Sequence, residues 1–272
     1  MPELAEVEHA RRLWDAAVGA TVTAVRSASP RARPLRDVDL DALAAALVGE
    51  KLTGSEARGK QMAFRFGATG DRWLGLHLGM SGRLRVEPAG HEPARHEHLV
   101  IDTDAGALVF HDPRGFGRVR FARGEDEPAW WSSIAPSVLS DAFSFEAVRD
   151  FLTRRAKAPV KAVLLMQERF PGIGNWMADE VLWRAGVHPA TPAGKLGDEG
   201  AALLRRTVRR VARDAVERIR DDWGYPASWL FPHRWEAGGH CPRCGAALAR
   251  EEVGGRTTCW CPRCQPPRRS RR

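Results

Sequence analysis

The first residues of the chain combine a nitrogen and carboxylates suited to amine chemistry. Removal of Met1 would leave Pro2 as a terminal secondary amine, beside Glu3 and one helical turn from Glu6. A terminal amine titrates at about 7.7–8.0, so much of it is unprotonated near neutral pH. Such an amine can attack a sugar aldehyde carbon and form a cationic iminium. The structural alternative is that Pro2 starts a helix and Glu3 complements the helix N-terminus.

Four cysteines near the C-terminal end form two Cys-x-x-Cys pairs. Cys241 and Cys244 are followed, after sixteen residues, by Cys261 and Cys264, a spacing typical of zinc sites. Four thiolates form a closed tetrahedral site, so the pattern predicts one structural zinc and no open catalytic position. A redox dithiol, the competing interpretation, does not explain two paired knuckles. Cys259 is predicted to be a non-ligand in a β-hairpin between the pairs.

One lysine and two glycine-rich turns add further candidates. Lys60 precedes a predicted strand and is one of few lysines in an arginine-rich chain; lysine, unlike arginine, can act as an acid or base. The first turn presents Met80, and the second presents Arg114 and Phe116. Core packing is the usual role of methionine and phenylalanine. The alternative is an apolar wedge in a base stack, with the arginine in the place of an extruded base.

The elements that would position these residues differ between the two halves of the chain. Short segments rich in Val, Leu, Phe and Trp predict a β-sandwich or barrel in the N-terminal part, and the remainder has helical periodicity. The predicted strands are 21–26, 61–66, 73–78, 83–87, 98–102, 107–110 and 117–121. The predicted helices are 3–17, 38–48, 144–155, 159–167, 175–185 and 198–220.

Two further segments define the organisation of the chain. Gly172 and Gly174 stand before a predicted helix, where they permit close backbone approach, and helix N-terminal amides bind phosphate. A helix–two-turn–helix element is therefore predicted. Residues 123–137, which contain prolines and several acidic residues, predict a linker. The expected class is α+β, with an N-terminal β-sandwich, a helical part and a cysteine-bearing β-ribbon.

Composition limits the class of partner and compartment. The 272 residues carry a formal charge of +8, which favours a polyanionic partner, and arginines concentrate in 201–220 and 241–272. No signal peptide is evident, and no apolar run approaches the roughly 18 residues of a membrane span. Cysteines confined to one module indicate metal binding in a reducing cytoplasm and not a disulfide framework.

Several motifs together resemble those of the formamidopyrimidine-DNA glycosylase and endonuclease VIII family. The resemblance extends from Pro2 to Gln265, and the combination of motifs is far more specific than any one of them. The motifs are Pro-Glu-Leu-x-Glu-Val-Glu at 2–8, Gly-Lys at 59–60, His-Leu-Gly-Met-Ser-Gly at 77–82, Asp-Pro-Arg-x-Phe-Gly at 112–117, Gly-x-Gly-Asn-x-x-x-Asp-Glu-x-Leu at 172–182 and Gly-Arg-x-Thr at 255–258.

This resemblance implies a base-excision repair enzyme, a bifunctional DNA glycosylase and AP lyase. Such an enzyme excises oxidised or ring-opened purines from damaged double-stranded DNA through a Pro2 Schiff base and cleaves the strand by β,δ-elimination. It implies a catalytic β-sandwich domain at 1–124, a helix–two-turn–helix domain at 137–226 and a zinc ribbon at 238–266, with DNA in the cleft between. Residues 267–272 are expected to form a disordered basic tail. We expect a monomer in the bacterial cytoplasm, associated with the nucleoid, with structural zinc but no small-molecule cofactor and no membrane partner.

The resemblance also implies roles for individual residues. Pro2 would attack C1′ of the damaged nucleotide, Glu3 would donate the proton that helps to open the sugar, and Glu6 would support this site. Lys60 is similar to the lysine of β-elimination, and Arg256 to the arginine that grips the phosphate and assists δ-elimination. Residues similar to DNA contacts are His96, Arg114, Lys157 and Asn175. The gap left by the flipped base would be filled by Met80, Arg114 and Phe116.

Three positions depart from the family pattern, and the last bears on the substrate. Ala5 replaces a usual proline, with little functional loss expected, and Gly115 replaces a frequent basic residue, so one contact with the opposite strand is expected to be lost. Residues 221–240 lack the Gly/Thr-rich loop that covers the flipped base and are more similar to the plant and fungal branch. The absence of this loop favours formamidopyrimidines, hydantoins or abasic sites over 8-oxoguanine. The alternatives are an endonuclease VIII-like preference for oxidised pyrimidines and a damage-binding protein without catalysis.

Overall fold

The structure is a computed structural model that describes residues 2–222, 224–235 and 238–267. Met1, whose removal is predicted, lies outside these described residues, and so does most of the predicted basic tail. The chain divides into two compact units. The first unit holds Pro2 and Glu6–Ile134, and the second holds Glu3–Ala5 and the residues from Ala135 onward.

The order of elements is close to the predicted one and confirms the α+β class. The helices are α1 (Leu4–Asp15), α2 (Leu40–Leu47), α3 (Ala129–Ser132), α4 (Phe145–Arg154), α5 (Val160–Leu164), α6 (Asn175–Ala185) and α7 (Gly197–Asp222). The strands are β1 (Val22–Arg26), β2 (Leu52–Arg58), β3 (Gln61–Phe66), β4 (Arg72–His77), β5 (Arg83–Glu87), β6 (Glu97–Thr103), β7 (Gly106–His111), β8 (Arg118–Arg123), β9 (Ala249–Val253) and β10 (Arg256–Trp260).

The first unit is a sandwich of two antiparallel four-stranded sheets, with strand orders β1-β6-β7-β5 and β2-β3-β4-β8. Large side chains from both sheets share one core, including the fully buried Phe64 and Phe110. Trp14 of α1 is also buried there, with its ring centroid 4.7 Å from that of Phe64. The alternation of large apolar residues along β3 and β7 therefore places their side chains on the inner faces of the two sheets, where they fill the core of the sandwich.

Two predictions for the first unit were incomplete. The strand β2 was not predicted, because its sequence is polar and contains Gly54; pairing with β3 forms it. The predicted linker 123–137 contains α3, whose Trp131 is fully buried beside Trp73. The outer face of the β2-β3-β4-β8 sheet is thus covered locally, and this part of the segment is packed structure.

The second unit contains the helices α4 to α7 around one apolar core. Ser144 caps α4, since its hydroxyl accepts a hydrogen bond from the Ala147 amide at 3.1 Å. The α6 helix begins at Asn175, as predicted, and ends at Ala185; the next residue, Gly186, has a φ of 65°, the left-handed conformation that favours glycine. These local signals explain why the helix boundaries were readable from the sequence.

The C-terminal module of the second unit is an antiparallel hairpin of β9 and β10. Gly254 and Gly255 form its two-residue turn, with φ values of 62° and 75°, the backbone that a tight hairpin of this kind requires. Among the described residues, no helix combines the length and the apolar character needed to cross a membrane.

Candidate active site and metal centre

The Glu3 carboxylate lies at the N-terminus of α6. It is 3% exposed, and it accepts hydrogen bonds from the backbone amides of Gly174 (2.9 Å), Trp176 (2.9 Å) and Met177 (3.0 Å). These amides would otherwise lack partners, and the helix dipole also favours a negative charge there. The arrangement therefore stabilises Glu3 as an ionised acceptor and fixes the chain immediately after Pro2.

Glycines make this close approach possible. A Cβ atom on Gly174 would lie only 2.3 Å from the carboxyl carbon of Glu3. The next residue along the N-terminal segment, Leu4, donates its amide to the Gly172 carbonyl at 3.0 Å. In the Gly-x-Gly sequence before α6, Gly174 thus leaves space for the Glu3 side chain, and the Gly172 carbonyl binds the Leu4 amide.

One turn into α6, Asp179 forms the centre of a buried charge network. It is fully buried, and one of its oxygens accepts a short hydrogen bond from the fully buried Lys161 ammonium. The other oxygen accepts from Arg234 Nη2 at 2.6 Å and from the Cys259 amide at 3.1 Å. Lys161 also donates to the Asn175 carbonyl at 2.6 Å. Burial lowers the pKa of Lys161, and Asp179 opposes that shift.

The same network fixes the zinc-bearing hairpin on α6. Asn175 Nδ2 donates to the Thr257 carbonyl at 2.8 Å, and the bond from Cys259 to Asp179 lies two residues further along β10. Arg256, at the start of this strand, is exposed. Asn175 and Arg256 are thus two predicted phosphate contacts on elements that are bonded to each other.

The four predicted cysteine ligands converge on one point. All four Sγ atoms lie within 4.8 Å of one another, with Cys244 3.5 Å from Cys261 and Cys241 3.8 Å from Cys264. A tetrahedral zinc with Zn–S bonds of about 2.3 Å separates its sulfurs by about 3.8 Å, so the donor set fits this ion. Cys259 is not part of the group, as predicted. The module holds one structural zinc.

In the first unit, Lys60 lies in the turn between β2 and β3, after Gly59 with a φ of 61°. His77, at the end of β4, pairs with Gln61 across the sheet and accepts the Gly79 amide on Nδ1 at 3.0 Å. Burial lowers the pKa of His77, and the charge of Lys60 lowers it further. The histidine is therefore held neutral close to the Lys60 ammonium.

The two glycine-rich turns are joined by the fully buried Asp112. Its carboxylate accepts the Ser81 hydroxyl at 2.8 Å and the Gly117 amide at 2.6 Å. The side chains at the tips point to solvent, since Met80 is 42% exposed and Phe116 is 43% exposed. The core-packing alternative for these two residues is therefore wrong.

The arginine of the second turn lies beside its aromatic neighbour, because the Arg114 guanidinium is 5.1 Å from the Phe116 ring centroid. His96 has an unusual positive φ of 71°. Its carbonyl accepts the backbone amide of Asp112 at 2.9 Å. The first unit therefore places His96 beside the turn that carries Arg114 and Phe116.

The remaining predicted residues occupy separate positions. Pro2 and Glu6 are half-buried, and Glu6 lies in the first turn of α1. Lys157 is exposed in the turn after α4, whereas Lys161 four residues later is buried.

The segment that departs from the family pattern is packed against α6. Tyr225 and Phe231 contact Trp176, with ring centroids 4.9 and 4.8 Å away. Trp229 is 7% exposed and Trp235 is 53% exposed. Residues 224–235 are therefore held by aromatic packing against α6.

Comparison with known proteins matches these features along nearly the whole chain. Three family models match: the formamidopyrimidine-DNA glycosylase N-terminal domain at 1–119, the H2TH domain of the same glycosylase at 134–223, and a zinc finger found in FPG and IleRS at 238–267. The chain is 36% identical to the formamidopyrimidine-DNA glycosylase of Laribacter hongkongensis (strain HLHK9), over 97% of this chain and 100% of that protein. The chain belongs to the formamidopyrimidine-DNA glycosylase family. It is therefore a DNA glycosylase.

Solved structures of family members agree with this assignment. The Lactococcus lactis glycosylase bound non-covalently to DNA with an AP site has a TM-score of 0.84 at 28% identity, covering 97% of this chain and 99% of that one. A complex of MutM with DNA containing carbocyclic 8-oxo-G has a TM-score of 0.84 at 30% identity, with the same coverage.

Sequence reasoning missed residues that organise this glycosylase site. Lys161 is one of five lysines in the chain, and Asp179 lies in the motif that begins at Gly172. Each is a charged residue among apolar neighbours in the sequence, and this signal could have predicted that they form a buried ion pair. Asp112 could have been found in the same way, because it belongs to the second glycine-rich turn. Arg234 had no sequence signal of this kind.

Proposed function

We propose that this glycosylase is also an AP lyase and that Pro2 is its nucleophile. The observation that carries the proposal is the anchoring of Glu3 by three backbone amides directly after Pro2. An acid–base group that is held rigidly next to a terminal amine meets the geometric need of iminium chemistry. Once Met1 is removed, the Pro2 nitrogen attacks C1′, and the damaged base leaves with the electrons of the glycosidic bond, so that C1′ carries both the Pro2 nitrogen and O4′.

Glu3 is proposed to transfer the proton that this attack releases. Its carboxylate takes the proton from the Pro2 nitrogen and delivers it to the ring oxygen O4′; the C1′–O4′ bond then breaks, which opens the sugar and forms the iminium between C1′ and the Pro2 nitrogen. Loss of a C2′ proton then expels the 3′ phosphate by β-elimination, and a second elimination expels the 5′ phosphate. Lys60 and Arg256 are proposed to assist these two steps, with Glu6 as a supporting group.

Base extrusion is assigned to the two turns that Asp112 joins. Unstacking a base costs a few kcal/mol, and exposed apolar side chains on rigid turns can offset part of that cost. Met80 and Phe116 are proposed to enter the stack, and Arg114 to occupy the place of the extruded base. Further DNA contacts are assigned to His96, Lys157 and Asn175.

The remaining organisation is proposed on the same basis. The catalytic, helix–two-turn–helix and zinc-ribbon domains would span 1–124, 137–226 and 238–266, with a basic tail at 267–272. We propose a monomer that needs no small-molecule cofactor and associates with bacterial nucleoid DNA.

The lesion is proposed to be a formamidopyrimidine, a hydantoin or an abasic site in preference to 8-oxoguanine. The aromatic packing of 224–235 supports this preference, because a packed segment cannot close over the base as a longer loop would. Solved relatives are bound to DNA containing Fapy-dG and to DNA containing an oxidised pyrimidine. The latter keeps an endonuclease VIII-like preference as a second candidate.

Borohydride trapping tests the chemistry. Duplexes carrying formamidopyrimidine, 8-oxoguanine, thymine glycol, a hydantoin or an abasic site are incubated with the protein and reduced. We expect a covalent complex that is lost in Pro2→Gly and retained in Pro88→Gly, a control at an exposed proline of the first unit. Mass spectrometry of the protein should show a chain that begins at Pro2. Binding of these duplexes with no trapping on any lesion would support the non-catalytic alternative.

A further inference from the structure

A cavity of about 260 Å³ lies on the outer face of the β2-β3-β4-β8 sheet. It is lined by residues that include His77 of β4, Arg118 and Arg120 of β8, Arg33 and Phe116. The volume is below the roughly 300–1,000 Å³ of usual small-molecule pockets. The cavity therefore suits a small ionic group better than a base or a coenzyme.

Positive charge in this cavity exceeds the negative charge that faces it. The lining carries four arginines, Arg33, Arg36, Arg118 and Arg120. Asp37 pairs with Arg118 at 2.6 Å and contacts Arg36 at 3.5 Å. Within the described part of the chain, Asp37 is the carboxylate that pairs with these arginines, and it contacts two of the four.

Arg120 is the arginine most affected by this imbalance. Burial lowers its pKa first, and the neighbouring charge of Arg118 lowers it further. Among the described residues, Asp37 is the acid that opposes this shift. A bound anion would relieve the repulsion and use the donors of Arg120 and Arg33, since guanidinium groups match phosphate oxygens in geometry.

The cavity adjoins the residues already assigned to DNA. Phe116 forms part of its lining, and the Arg33 guanidinium lies 5.3 Å from the ring centroid of Phe116. Gln61, which follows Lys60 in the chain, also lines it. By contrast, Gly115 beside Phe116 has a φ of 63° and offers no side chain to a ligand.

We propose that this cavity binds a phosphate group of the DNA backbone beside the Phe116 wedge, through Arg33 and Arg120. The contact would thus come from strand β8 and from the short helix Arg33–Leu35. The inference rests on the proposed function, because DNA must bind with Phe116 in its stack.

The test measures how DNA affinity depends on salt. Each phosphate contact contributes about 0.9 to the slope of log K against log salt. We expect Arg120→Gln to reduce the slope by about one on a duplex with an abasic-site analogue, so that its affinity deficit shrinks about threefold between 50 and 200 mM salt. Arg33→Gln, at an exposed position, should behave in the same way even if Arg120→Gln folds poorly.

The control is Arg123→Gln, which removes the same charge from an exposed site on β8 outside the cavity and should leave the slope unchanged. Equal slopes for Arg33→Gln and Arg123→Gln would overturn the proposal. A second result would also overturn it: free inorganic phosphate raises the melting temperature of wild type but not of Arg33→Gln, while the DNA slopes of Arg33→Gln and Arg123→Gln are equal. The site would then bind free phosphate and not the DNA backbone. Trapping through Pro2 should persist in Arg123→Gln; loss of trapping in wild type itself would instead contradict the proposed function.

Discussion

Replacing Asp179 by asparagine should be among the most damaging single changes in the second unit. The substitution keeps the shape of the side chain but removes the charge that meets both Lys161 and Arg234. Lys161 is fully buried and the Arg234 side chain is 6% exposed, so water cannot replace the lost partner. Removing one member of a buried ion pair costs about 3–5 kcal/mol. The folding equilibrium would therefore fall by roughly a hundredfold to several thousandfold.

Urea unfolding followed by tryptophan fluorescence measures this change. Glu127→Gln is the matched control, because Glu127 pairs with Arg58 at 2.5 Å but its side chain is 38% exposed. Such surface pairs contribute about 0–1 kcal/mol. A loss in Asp179→Asn no larger than that of Glu127→Gln would refute the assignment of a buried network.

A triple variant distinguishes the free-energy cost of leaving a buried charge unpaired from the net contribution of the whole network to the free energy of unfolding. Buried ion networks replaced completely by apolar residues of similar volume are often neutral or stabilising. Lys161→Met, Asp179→Leu and Arg234→Met together should therefore recover most of the stability lost in Asp179→Asn. DNA binding should stay weakened, because the bonds that orient the hairpin would be absent. A triple variant less stable than the single one would contradict this account.

Three other perturbations test the site. Lys60→Met should raise the pKa of His77 in an NMR titration. Because the pKa of His77 in the folded protein lies below the unfolded value near 6.5, protonation of His77 reduces the stability of the fold as pH falls through that range. The variant should therefore lose less stability than wild type over the same fall in pH. An unchanged pKa would argue against their proximity. Cys264→Ser should reduce bound zinc below one per chain and destabilise the second unit, as measured by metal analysis and melting. Gly174→Ala should reduce borohydride trapping at least tenfold, whereas Gly54→Ala, which meets no atom within 4 Å, should not.

The readable parts of the sequence were those in which chemistry is local. The cysteine pairs specify a metal by spacing alone, and the caps and glycines of α4 and α6 mark helix ends through their own backbone needs. The strand β2 was not readable for the opposite reason. Its polar residues and Gly54 carry little strand preference, and the partner strand β3 supplies the bonds that define it.

The buried charges show a second limit. A lysine in an arginine-rich chain draws attention, but position along the chain does not say whether it lies in water or in a core. Lys157 and Lys161 are four residues apart, yet one is exposed and the other fully buried. The difference arises because α5 turns Lys161 towards Asp179, and that partner lies eighteen residues further along.

The glycine-rich motif before α6 gains a physical explanation from these contacts. Gly174 leaves room for Glu3, whose carboxylate takes the first amides of the helix. Asn175 opens the helix and bonds the zinc hairpin, and Asp179 lies on the same face because it is four residues later. There it bonds the same hairpin again, at Cys259. One helical turn thus links Glu3, the proposed acid–base group, to the hairpin, so a change that tilts α6 should disturb both trapping and the proposed phosphate contact.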